Sequence, residues 1–241
     1  MDMLDGSRSK VFQRFMNNQI LANTTFFVLG IVCFIIAIRA FYMYALTKSD
    51  FIFVIGLSMA DIGISVIVGY MQDSHVVSWN AHLSWYIGTI LGVLFLVLGS
   101  WVNSYQKIAA LKRWLIILTA LYFVQTLLTP FVPQFSNPYE PAVFNVIRTS
   151  IALVGSIRYL LLYLSKRTRF TLFMCIAFFL IGAGFGVLTP DLFNRSLANF
   201  LTLGYSLRIV GYSVLLTAYS LPKEQAAGHA KPARPVSEKA Y

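Results

Sequence analysis

Seven long apolar windows run through this chain, at about 21–46, 51–71, 82–102, 112–133, 143–164, 170–189 and 198–220. Each holds the roughly 20 residues a helix needs to cross a hydrocarbon core. Within lipid, only a helix satisfies every backbone group inside one segment, so all seven windows are read as helices. Composition agrees: 58% of the 241 residues are hydrophobic and only 12% are charged, against about 25% charged in an ordinary soluble domain. A soluble globular domain and a disordered chain are excluded. The expected fold is an all-α integral membrane protein, a seven-transmembrane helix bundle over 21–220. Residues 1–20 form an N-terminal tail, expected either to lie along the membrane surface or to extend the first helix. Residues 221–241 form a polar tail expected to be disordered.

The net charge of +10 is no nucleic-acid signal here, because the basic residues cluster at the ends of apolar windows, where they set orientation. One set of connections, with the C-terminal tail, carries eleven Lys and Arg; the other set, with the N-terminal tail, carries four. The positive-inside rule then places the C-terminus in the cytoplasm and the N-terminus outside. This predicts a multi-pass protein of the plasma membrane whose first window is retained as an anchor. Cys33 and Cys175 both fall inside apolar windows and are read as small buried hydrophobes.

Sliding the chain by 119 residues lays the first three windows on the last three. Twelve identities fall in 83 positions, among them Arg39 on Arg158, Tyr44 on Tyr163, Gly63 on Gly182, Tyr86 on Tyr205 and Gly92 on Gly211. So apolar a composition gives roughly seven or eight by chance. The excess suggests two parallel three-helix units joined by the fourth helix, a 3+1+3 plan.

Ionisable groups at membrane depth are costly and are functional candidates by default. Asp61 sits mid-way along the second window, on a face with Ser58, Ser65 and Gly69. Arg208 sits mid-way along the seventh, in an arc with Tyr205 and Tyr212. Their similar depth predicts a buried Asp61–Arg208 pair, serving either helix packing or a ligand. In the fifth window Arg148 shares a face with Asn145 and Tyr159, and either reaches up to the outer interface or turns inward. In the third window His82, Trp85, Thr89 and Asn103 share one internal arc. Gln125 in the fourth is expected to make an interhelical hydrogen bond. Two deep arginines against one deep carboxylate suit a small or lipidic anionic ligand. Gly88-xxx-Gly92 and Gly182-xxx-Gly186 are packing signals that let helices approach.

No catalytic residue, metal site or cofactor site is expected. The three histidines form no in-membrane pair, and no HExxH, P-loop or Cys/His cluster stands in the sequence. The layout over 20–220 resembles the seven-helix, N-outside membrane sensor regions at the front of bacterial histidine kinases and cyclic-dinucleotide enzymes. It is also similar to microbial rhodopsins, although the seventh window offers Arg208 and no lysine for retinal. Sugar carriers with a 3+1+3 plan resemble it too, although their prolines in the first and fifth helices are missing. The first resemblance implies a non-enzymatic sensory or scaffolding role, in which a ligand shifts a helix arrangement presented to a membrane or cytoplasmic protein partner. A small-molecule carrier and an accessory subunit of a larger membrane complex are the alternatives.

Overall fold

The computed structural model of the protein describes residues 3–74, 76–102, 105–190 and 198–220. Its elements are α1 (Met3–Thr47), α2 (Asp50–Asp73), α3 (Ala81–Gly99), α4 (Tyr105–Leu128), a 3-10 turn (Thr129–Phe131), α5 (Tyr139–Lys166), α6 (Arg169–Leu188) and α7 (Ala198–Ser220). Six stretches, in α1 to α6, are long and apolar enough to cross a membrane. That is the make-up of a multi-pass, all-helical membrane protein.

The element boundaries follow local chemistry. Thr168 caps α6 by accepting from the Thr171 N–H at 3.4 Å, satisfying one orphan donor of the first turn. Thr189 and Pro190 end α6, as expected. The Asn137 carboxamide oxygen accepts from the Tyr139 and Glu140 N–H groups and so opens α5 inside what the sequence shows only as a polar loop. The fourth helix starts at Tyr105, not near 112, because Lys107, Lys112 and Arg113 depress hydropathy without hindering helix formation. It stops at Leu128, where Pro130 turns the chain into the 3-10 segment. The backbone of α1 is helical from Met3 onward, so the N-terminal tail extends the first helix.

Two connections share one shape. Lys48 and Arg167 both adopt left-handed backbone, with φ of 53° and 47°. The Lys48 N–H donates to the Tyr44 carbonyl at 2.8 Å, and the Arg167 N–H to the Tyr163 carbonyl at 2.7 Å. Ser49 and Thr168 then run extended into α2 and α6. Each residue of the second turn stands 119 positions after its counterpart in the first.

The helices pack as a ring. In order around it, α1, α2 and α3 are successive neighbours, and so are α5, α6 and α7; α3 meets α5, and α7 meets α1. The outlier is α4, which packs against α2 and α3 from outside. Glycines set the close approaches. A Cβ on Gly92 would strike the Ile62 side chain and come within 2.5 Å of the Ser58 carbonyl oxygen. A Cβ on Gly211 would come within 2.8 Å of the Ile181 side chain and 3.1 Å of the Ala177 carbonyl oxygen. Gly63 approaches Cys33 and Phe34 of α1, as Gly182 approaches Ala152 and Leu153 of α5. The ring interior is filled by Phe26, Ile36, Met59, Ile62, Phe178, Ile181 and Phe185. Cys33 is buried, as expected, whereas Cys175 is only half-buried.

Candidate functional site: an aromatic box around two arginines

Among the described residues, the buried charged side chains are Asp61, Arg148 and Arg208. The arginines stand together inside the ring. Asn145, one turn earlier on α5, accepts a hydrogen bond from Arg148 Nη2. Arg148 Nη1 lies 3.4 Å from Thr89 Oγ1 on α3, and that hydroxyl is itself tied to the Trp85 carbonyl oxygen. The Arg148 guanidinium lies over three rings, at 4.3 Å from Trp85, 4.4 Å from Tyr86 and 4.2 Å from Phe185. Arg208 lies 4.5 Å from the Tyr205 ring, 5.0 Å from Phe185, 5.6 Å from Phe26 and 5.7 Å from Trp85. Trp85 and Phe185 are shared, so the two cations are neighbours across the same rings.

Arginine over a desolvated aromatic face gains about 2 kcal/mol or more per good contact. That attraction is not a hydrogen bond to the N–H groups. It leaves the in-plane N–H donors unspent. Among the described residues, Arg208 Nε, Nη1 and Nη2, Arg148 Nε, Trp85 Nε1 and Tyr212 Oη are buried without a well-aligned hydrogen-bond partner, with the Tyr205 side chain within reach of Arg208. All six can donate, and five of them can only donate. Two neighbouring positive charges with surplus donors are chemically complementary to a group that supplies acceptors alone.

The sequence-predicted residues divide. Trp85, Thr89, Arg148 and Arg208 meet in the box, with Tyr205 and Tyr212 against it. Arg148 turns inward and is fully buried, which removes the interfacial alternative. His82 stands at the rim, partly exposed, with its ring 6.0 Å from Trp85. Tyr159 lies elsewhere: its ring stacks on Phe178 at 5.6 Å and serves the core. Asn103 lies outside the described residues. Gln125 makes the expected interhelical contact, with Ser84 Oγ 3.3 Å from its Oε1, but at the α3–α4 seam.

The expected Asp61–Arg208 pair does not form. Asp61 Oδ2 accepts from Thr119 Oγ1 of α4 at 2.8 Å. Similar depth along two helices does not make a pair, because azimuth decides the partner. The Asp61 face of α2 points to α4, outside the ring, while Arg208 points to its centre.

Phe26, Phe185 and Thr119 complete these arrangements without standing out in the sequence, and Tyr86 stands out there only through the 119-residue correspondence. In a chain with 20 Phe and 13 Tyr, single aromatics carry no signal. A helical wheel of α6 would place Phe185 with Phe178, Ile181 and Gly182, one face among several. Comparisons of the chain with protein-family models, curated proteins and solved structures return no match.

Proposed function

We propose that this protein is a non-enzymatic membrane receptor that binds a small or lipidic anion in the Arg148–Arg208 box and signals by a change in helix packing. The observation that carries the reading is the set of buried, unspent donors beside two unneutralised cations. A carboxylate, phosphate or sulfate supplies acceptors alone and matches that set. In this reading α7 is the seventh span, and the bias of Lys and Arg places the C-terminus in the cytoplasm. Arg148 and Arg208 lie nine and ten residues into α5 and α7, so the box sits in the outer half of the bundle, where a ligand arrives from outside the cell. The aromatic walls favour an organic anion over an inorganic one. Binding shifts the receptor only if it favours one helix arrangement over another.

A carrier is the second reading, and one observation favours it. The left-handed turns at Lys48 and Arg167, and the glycine contacts of Gly92 and Gly211 and of Gly63 and Gly182, recur at the 119-residue spacing. These support two parallel triples, α1–α3 and α5–α7, with the arginine box enclosed between them. One crossing by α4 restores the direction that three crossings reverse.

The test is thermal unfolding of the purified full chain against benzoate, succinate, a sulfated detergent analogue and phosphatidylglycerol. A saturable rise in Tm with one of them, lost in both Arg148→Gln and Arg208→Gln, is expected; at 100 times Kd it amounts to about 2.7 kcal/mol. No rise with any anion, or an equal rise in the variants, overturns the reading. Uptake of the stabilising anion into proteoliposomes separates carrier from receptor.

A further inference from the structure

The side of α3 turned away from the arginine box holds a second polar cluster of opposite chemistry. It lies where α4 docks on α2 and α3. Asp61 stands eleven residues into α2 and twelve from its end, about 17 Å from either terminus at 1.5 Å per residue. The carboxylate is fully buried. One oxygen accepts from Thr119 at 2.8 Å, while the other, with Ser58 Oγ one turn earlier on the same helix, is buried without a hydrogen-bond partner among the described residues. Tyr122 Oη comes within 2.7 Å of the point where a Gly88 Cβ would stand, and Ser65 Cβ within 2.6 Å of that same point. The tyrosine hydroxyl of α4 is thus inserted beside the Ser58–Asp61–Ser65 face through the gap that Gly88 leaves.

We propose that Asp61, Ser58, Thr119 and Tyr122 bind a small monovalent cation. Oxygen donors alone, with no nitrogen or sulfur, are the ligand set of hard cations. One carboxylate balances one positive charge; a divalent ion would leave a net charge at the membrane centre, where charge is most costly. The residues come from α2 and α4, so the cation ties the outlying helix to the ring.

The experiment uses the full chain in lipid nanodiscs at constant chloride. Na+ replaces N-methylglucamine stepwise, with no organic anion present, so failure here leaves the arginine-box reading untouched. The expected result is a saturable rise in Tm for the wild type, abolished in Asp61→Asn. Ser58→Ala and Tyr122→Phe are expected to raise the half-saturating Na+ concentration several-fold. No difference between Na+ and N-methylglucamine overturns the proposal, as does an equal rise in Asp61→Asn. If Asp61→Asn fails to fold, unchanged half-saturation in both Ser58→Ala and Tyr122→Phe overturns it. A rise in Tm on acidification, with no Na+ dependence at any pH, assigns the site to a proton instead and also overturns it.

Discussion

A guanidinium among aromatic rings combines a delocalised charge with a planar fork of donors, and that decides what can replace it. An ammonium has no plane; it keeps part of the attraction to the ring but loses the in-plane fork of donors. Arg208→Lys is therefore expected to fold and to lose anion-dependent stabilisation, measured by the same thermal assay. Retention of the full rise in Arg208→Lys would show that only charge matters there. At the second cluster, Thr119→Val removes the one hydroxyl that donates to the buried Asp61 carboxylate. The cost is expected at about 1–3 kcal/mol, read as a fall in Tm or in the denaturant midpoint. These residues were legible in unequal measure. Asp61, Arg148 and Arg208 are visible in any sequence of this kind, because ionisable groups are rare in apolar windows. Which group faces which was not, because depth can be counted along one helix while azimuth depends on every neighbour.

Elements here were easier to read than contacts. Hydropathy marks where lipid is met, so α2 and α6 begin and end within two residues of their windows, the ordinary uncertainty of helix ends, and α3 stops three residues short of its window. It fails for α4, whose first seven residues, Lys107 among them, lie in helix ahead of the window at 112. Lys112 there donates to the Asp50 carboxylate at 2.7 Å and to the Tyr44 hydroxyl at 3.1 Å, pinning α4 to α1 and α2 at one end. The glycines of α3 and α7 give a matched test of packing. Gly92→Ala and Gly211→Ala each put a methyl group against the neighbouring helix, and each is expected to cost about 1–3 kcal/mol. The Gly92 variant meets backbone more closely and should lose more. Equal, negligible losses in thermal unfolding would contradict the close packing. At the two turns the sign reverses. Lys48→Gly and Arg167→Gly relieve left-handed backbone and are each expected to gain about 1 kcal/mol.

The whole molecule is a closed ring with one helix outside it. Ring closure depends on α3 meeting α5 and α7 meeting α1, contacts far apart in sequence and invisible to any local pattern. The 119-residue correspondence was the one long-range signal, and it spoke to the order of helices rather than to their arrangement. A cut just after the half-buried Phe135, at the start of the exposed stretch 136–138, should be tolerated, because α1–α4 and α5–α7 each retain their internal neighbours. Co-expression of 1–135 and 136–241 is expected to yield a complex that copurifies; recovery of neither half would show that the covalent connection is required.

The outlying α4 has a further consequence. Much of its surface is apolar and exposed, including Trp114, Ile117, Leu121, Val124 and Leu127. In a bilayer, acyl chains satisfy such a surface as well as another helix does, so greasy contact gives α4 little reason to stay. What keeps it is the polar stripe of Thr119, Tyr122, Gln125 and Thr126, together with the Lys112 contacts to Asp50 and Tyr44 at one end. Amide deuteration should therefore reach α4 before the ring helices, and the earliest sub-global opening of the protein should be its lateral departure into the surrounding lipid.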